Sequence, residues 1–372
     1  MFERARQCAP LAAVRGKQAL LDFAFSISPM RVLFGVGSRH RLDEELKALG
    51  VRRALLIADP AHRKLAQELA GRLGARCAGI FDGVVQHVPV EVAEAGRAKV
   101  RDLRADCCVT IGGGSATGLG KAIAMEIALL LVAVPTTYAG SEMTPIWGLT
   151  EGGLKRTGRD SAVQPKVTFY DPELTVTLPP AVAGPSGMNA IAHCVEALYA
   201  QDANPIMSLL AEEGVRALAE ALPRVVAAPD DLENHGKALY GAWLAGVALG
   251  SVGMALHHKL CHVLGGTFNA PHADTHALIL PYAGAYNLEA APDAKRRLAA
   301  ALGTAQVARA LRELSLAVGA PPTLKDLGLS TSDLKTAADL ATRAPYYNPR
   351  EVTRDGVHQL LLDAYNGEMP GA

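Results

Sequence analysis

Val109-Thr110-Ile111-Gly112-Gly113-Gly114-Ser115, residues 109–115, reads as a buried strand running directly into three glycines and a serine. An apolar, Ala-rich stretch with helical spacing follows and contains Lys121. Glycines let a backbone take positive φ and approach a ligand closely. A helix that starts at such a turn offers free N–H groups and the positive end of its dipole to phosphate oxygens. The wording matches neither GxGxxG nor a Walker A loop. An ordinary glycine-rich strand-to-helix turn would read the same way, so the flanking segments decide.

Outward from this turn, short β-rich runs alternate with amphipathic ones. Residues 31–34, 54–58, 78–81, 107–111, 130–134 and 167–170 predict strands; 61–73, 90–103 and 118–128 predict helices. Near-continuously apolar strands alternating with helices indicate an α/β fold with a parallel sheet covered on both faces. A second small-residue turn, Pro135-Thr136-Thr137-Tyr138-Ala139-Gly140-Ser141-Glu142, follows the 130–134 strand. Two such turns define a crevice at the strand carboxyl ends, where α/β sheets bind nucleotides. Asp59 ends the 54–58 strand. It suits either a ribose hydroxyl or the N-cap of a helix beginning at Pro60, and both readings stand. The candidate cofactor-binding residues are therefore Asp59, Gly112, Gly113, Gly114, Ser115, Thr136, Thr137 and Ser141.

Past Leu178-Pro179-Pro180 the pattern changes. From Ser186 onward almost every window has helical period, with breaks expected at Pro205, Gly253, Pro271, Pro281, Pro292 and Pro321-Pro322. The expected organisation is a loose N-terminal extension (1–20), an α/β dinucleotide-binding domain (21–183) and an all-helical catalytic domain (184–372). At 372 residues the chain has room for two cores. Lys+Arg and Asp+Glu balance at 37 each, which excludes nucleic acid or an anionic membrane as a general partner. Six cysteines form no CxxC pattern and several lie in apolar runs, pointing to reduced thiols in a cytoplasmic protein. No apolar run approaches the roughly 18 residues that span a bilayer.

The helical half carries the chemistry. Six of the eleven histidines (His193, His257, His258, His262, His272 and His276) lie at position 193 or between 257 and 276. Asn189 and His193 are four apart, as are His258 and His262, so each pair shares one helix face and can aim into one pocket. Scattered core histidines are the bland alternative; the ordered set favours an active site.

At these residues the chain resembles the iron-containing alcohol dehydrogenase family. The resemblance runs from Arg31 to about Glu368. It rests on Phe34-Gly35-Val36-Gly37, Gly112–Ser115 with Lys121, Pro135–Thr137 with Gly140–Glu142, and Asp171-Pro172. Further along it rests on Gly187-Met188 with His193 and Glu196, the His258, His262 and His272 spacing, and Asn348-Pro349-Arg350. It implies an N-terminal dinucleotide-binding domain, a helical C-terminal domain, an active site in the cleft between them, an NADH or NADPH cofactor and a homodimer. In the family an Asp and three His hold a divalent metal. The matching positions are Asn189, His193, His258 and His272, while His262 matches a histidine near the nicotinamide.

The departures from the pattern are Asn189 for the ligand Asp, Gly118 for an Asp, and a second turn one residue shorter than PTTAGTGSE. They resemble the maleylacetate reductase branch, whose members reduce the carbon–carbon double bond of maleylacetate to 3-oxoadipate in aromatic-compound breakdown and are generally regarded as metal-independent. The chemistry agrees. A carboxamide in place of a carboxylate leaves a dication facing three neutral imidazoles, so a metal-free pocket is expected; any metal that did bind would use His193, His258 and His272. Hydride addition to an enone yields an enolate, a far weaker base than an alkoxide, which directed N–H donors stabilise.

The resulting expectation is a cationic pocket of His193, His258 and His272 for an unsaturated keto-dicarboxylate, with His262 as proton donor and Asn189 orienting His193 or binding substrate. Arg350 reads as a substrate-carboxylate anchor or as packing, Lys259 as solvated or interfacial. Three alternatives remain: a metal-dependent alcohol dehydrogenase, a lyase resembling 3-dehydroquinate synthase, and a non-catalytic NAD-binding protein. The lyase would need an intact metal site and several basic residues, and the retained histidine spacing argues against a non-catalytic protein.

Overall fold

The computed structural model describes residues 30–369 apart from residue 153, together with residues 23, 25 and 27. The expected extension at 1–20 lies outside the described residues. Six strands, β1 (Arg31–Phe34), β2 (Ala54–Ala58), β3 (Cys77–Phe81), β4 (Cys107–Gly112), β5 (Leu130–Pro135) and β8 (Val167–Tyr170), form one sheet in the order β1-β8-β5-β4-β2-β3. Every pairing in it is parallel. Alternate residues of β2 and β4 face opposite sides. Leu56, Val109 and Ile111 pack against Leu42 and Leu46 of α1 (Leu42–Ala48) and Leu69 of α2 (Arg63–Leu73). Leu55, Ile57 and Cys108 pack against Val100 of α3 (Val90–Leu103) and Leu119 and Ile123 of α4 (Gly114–Glu126).

Two features of this half go beyond the sequence pattern. The helix after the glycine turn begins at Gly114, four residues before the expected start, because Gly113 already serves as N-cap. An antiparallel hairpin, β6 (Ile146–Glu151) with β7 (Leu154–Arg159), stands apart from the main sheet. It is tied back through Thr150, whose N–H donates to Val88 O and whose Oγ1 donates to His87 O.

A short helix, α5 (Pro172–Thr175), leads to the helical half. There α6 (Pro180–Leu198), α7 (Pro205–Ala227), α8 (Leu232–Ser251), α9 (Leu256–Phe268) and α10 (His272–Asn287) are followed by α11 (Pro292–Leu302), α12 (Val307–Ala317), α13 (Thr331–Thr342) and α14 (Arg354–Asn366). Helix α6 is the axis of this half, buried at every residue from Ala183 to Leu198. It starts at Pro180, so residue 183 lies in its first turn. Pro281 does not break the chain as expected; it sits inside α10. A proline leaves the carbonyl four residues earlier without its helical donor. Here Ser315 Oγ on α12 donates to that carbonyl, Ala277 O, at 2.8 Å.

Helices α8 and α9 meet at 94°, so the first turn of α9 points back at α6. Among the described residues no single helix is long and apolar enough to cross a membrane.

Candidate active site

In sheet order β2, β4 and β5 are neighbours, and the chain reverses direction across the sheet between β2 and β4. Such a reversal opens a crevice at the strand carboxyl ends. Three predicted segments meet there. Gly112 has φ +144°, and a Cβ on it would lie 2.6 Å from Asp59 Oδ2, so the Asp59 carboxylate occupies the space a side chain would need. A Cβ on Gly113 would lie 3.0 Å from Thr137 Cγ2. Thr136 N donates to Gly112 O at 3.1 Å, while its buried Oγ1 has no partner. Asp59 also caps the turn after β2, with Oδ1 accepting from His62 N at 3.1 Å and from His62 Nδ1 at 2.7 Å. The N-cap reading is thus realised, and Oδ2 still faces the crevice. Exposed Gly114 opens α4, where helix-start N–H groups are free for an anion. These free N–H groups could hold a dinucleotide's phosphates, and a side chain at Gly112 or Gly113 would collide with Asp59 or Thr137 beside them.

Ser141, the last predicted cofactor residue, has a second duty. Lys121, fully buried on α4, donates from Nζ to Ser141 O (2.6 Å), Thr144 O (2.7 Å), Thr144 Oγ1 (2.9 Å) and Ile146 O (2.8 Å). Burial lowers this ammonium to about 7, partly opposed by nearby Glu142. The turn from Thr136 to Glu142 then crosses to the helical half. Tyr138 N donates to Ser186 Oγ at 3.1 Å, and the buried Tyr138 hydroxyl meets His235 Nδ1 at 2.9 Å. Gly140 has φ +78°, and a Cβ there would sit 3.0 Å from Gly246 Cα on α8. Ala139 O lies 3.3 Å from His193 Nε2. One turn therefore touches both the phosphate cradle and the histidine pocket.

The pocket is built from α6, α9 and α10. His193 and Asn189 on α6 and His258 on α9 are buried and form its floor. His262, one turn along α9 with its ring 6.3 Å from that of His258, and His272 at the start of α10 are exposed and form its mouth. His193 Nδ1 meets His258 Nε2 at 2.8 Å. Behind the floor lie His257 and His276, both fully buried, with His257 Nε2 2.9 Å from His276 Nδ1. Burial, and then the neighbouring imidazole charges, push His193, His257 and His276 well below the ordinary histidine value, so all three rest neutral.

Glu196 is the residue whose function the sequence did not assign. It is fully buried on α6, one turn beyond His193. Its Oε2 accepts from Ala255 N (2.8 Å) and from His258 Nδ1 (2.7 Å); its Oε1 accepts from His257 N (2.8 Å). Ala255, the N-cap of α9, has no side chain able to cap, and Glu196 supplies that function from another helix. Its bond fixes Nδ1–H on His258 and turns the Nε2 lone pair toward His193. The sequence signal was a carboxylate three residues after a pocket histidine in an otherwise apolar helix.

Arg350 resolves to packing. Its guanidinium stacks 4.1 Å from the Tyr286 ring centroid and donates to Tyr286 O. Lys259 lies 5.9 Å from the Tyr346 ring centroid. Asn348 latches the C-terminal loop to the same helix start, accepting from Leu256 N (3.3 Å) and Asn287 Nδ2 (2.9 Å). A divalent metal fits the floor poorly. Both nitrogens of His258 are engaged, by Glu196 and by His193, and Asn189 offers only a neutral Oδ1, buried and without a partner.

Known proteins resemble this chain over nearly all of its length. The family model for iron-containing alcohol dehydrogenase matches residues 29–172, and the C-terminal model of the Fe-containing alcohol dehydrogenase family matches residues 184–365. A maleylacetate reductase of Sphingobium indicum is 51% identical over 350 residues, covering 94% of this chain and 99% of the relative. A maleylacetate reductase of Burkholderia cepacia is 50% identical over 348 residues, covering 94% and 99%. The crystal structure of maleylacetate reductase from Agrobacterium tumefaciens superposes with a TM-score of 0.92 at 47% identity, covering 94% of this chain and all of that one.

Proposed function

The chain belongs to the iron-containing alcohol dehydrogenase family, and on that footing we propose that it is a maleylacetate reductase, converting maleylacetate to 3-oxoadipate with NADH or NADPH. The observation that carries this reading within the family is the donor set of the pocket floor: imidazoles joined by a carboxamide where a metal site needs a carboxylate. Such a floor suits a reaction whose developing charge is an enolate and not an alkoxide. A nicotinamide cofactor held by the crevice residues would supply the hydride for the β-carbon of the enone. The phosphate cradle is Gly112–Ser115 with Thr136, Thr137 and Ser141, and Asp59 accepts from the adenosine ribose.

When substrate enters, His193 turns its Nδ1–H from His258 Nε2 to the substrate oxygen, while His258 stays oriented by Glu196. His272, at the mouth, meets a carboxylate. His262 delivers the proton to the enolate carbon and is recharged from solvent because it is exposed. Asn189 donates through its amide to the substrate or orients His193. The pocket lies between the proposed domains 21–183 and 184–372 and works without metal in a homodimer.

The test is maleylacetate-dependent oxidation of NADH by enzyme dialysed against EDTA, repeated with Zn²⁺ or Fe²⁺ restored. Turnover in the stripped enzyme, unchanged by metal, supports both substrate and metal independence. Activity that returns only with metal overturns the metal-free mechanism. No turnover in either state overturns the substrate and redirects the search to alcohols and aldehydes.

A further inference from the structure

Behind the catalytic floor, three side chains converge that no step of the proposed reaction uses. His257 and Cys261 lie four apart on α9, and His276 faces them from α10. All three are buried, and their ligand atoms lie within 4.8 Å of one another. Cys261 Sγ is 3.7 Å and His276 Nδ1 is 2.9 Å from His257 Nε2. These spacings approach those of ligands around a single ion with metal–sulfur and metal–nitrogen bonds of roughly 2.3 and 2.0 Å.

We propose that His257, Cys261 and His276 form a three-coordinate site for a monovalent thiophilic cation, copper(I). Charge decides the ion. A thiolate, two neutral imidazoles and Cu⁺ sum to zero, which a dry interior tolerates, whereas a divalent ion would leave a net positive charge and an unfilled fourth position. The same count separates this trio from His193, His258 and His272, which have no anionic member.

Tautomers present no obstacle. His257 Nδ1 and His276 Nε2 have no partner, so the proton now shared between the facing nitrogens can move to an outward one without breaking another bond. Loading exchanges one proton for the ion: the Cys261 S–H bond breaks, a sulfur–copper bond forms, H⁺ leaves, and no electron is transferred. The His276 ring lies 4.4 Å from that of His272 and 5.0 Å from that of His258, so the route in passes through the catalytic pocket.

The test is an anaerobic competition between the full-length protein and bicinchoninate for copper(I). The wild type should withhold one copper per chain. Cys261→Ser and His276→Gln should each weaken retention by about tenfold or more, the effect expected when a metal site is damaged. His193→Gln should retain copper like the wild type. No copper withheld, or equal retention by Cys261→Ser, overturns the site. X-ray absorption of the copper-loaded wild type requires no variant to fold. One sulfur and two nitrogen neighbours support the assignment, and nitrogen neighbours alone overturn it.

Discussion

Glu196 accepts from three backbone N–H groups or ring nitrogens at 2.7–2.8 Å, all on or beside the first turn of α9. Replacing it by Gln keeps the size but puts an NH₂ against either a backbone N–H or His258 Nδ1–H. His258 escapes that clash only by moving its proton to Nε2, which reverses the hydrogen bond to His193. Glu196→Gln should therefore lower kcat by about 10- to 100-fold, in the range seen when a group orienting a site residue is lost. The Kd for NADH should stay within about twofold, since the cradle lies on other elements. Equal losses in both would show a general structural role. Asn189 makes the complementary case. Asn189→Asp restores an anionic ligand beside His193 and His258 and should let the protein keep a divalent ion through dialysis. Metal analysis of both proteins checks this, and equal metal content would mean that charge at position 189 is not what decides binding.

Among the elements, α4 and the 136–142 turn depend on each other through Lys121. Its three N–H donors face four oxygen acceptors, so Lys121→Met strands several buried carbonyls. A loss of about 2–4 kcal/mol in urea unfolding is expected, with weaker NADH binding, because each unsatisfied buried acceptor costs about 1–3 kcal/mol. The pH dependence has a definite sign. The folded lysine titrates at about 7 against an ordinary 10.5, so between these values the unfolded chain binds more protons. The Lys121 contribution to stability therefore rises with pH across that window, and the gap between wild type and Lys121→Met should move accordingly.

At this scale much was legible in the sequence. The strands at 31–34, 54–58 and 167–170 and the helix at 90–103 have the expected bounds, because apolar runs and helical period are local properties. Pro281 misled because its missing donor is made good by Ser315, 34 positions away in sequence. The β6–β7 hairpin escaped notice because Trp147, Gly148, Gly152 and Gly158 interrupt any clean alternation.

At the scale of the whole molecule, the sequence located the pocket histidines but not their ranking. Spacing placed His193, His258, His262 and His272 together. Only the fold shows that two are floor and two are mouth, since exposure depends on how α6, α9 and α10 cross. Likewise, Glu196 belongs to the family pattern in the sequence, but its role appears only where the 94° bend between α8 and α9 brings a helix start against it. That single carboxylate has a kinetic consequence. The amide hydrogens of Ala255 and His257 are both held by it, with His258 N a longer 3.4 Å from the same group. Solvent deuterium cannot reach one without an opening that releases the others. These amides should exchange as one set at one rate, slowed together when NADH and a substrate analogue fill the cleft, and staggered exchange would contradict this. Their shared lifetime would then be a clock for how long the catalytic pocket stays assembled between openings.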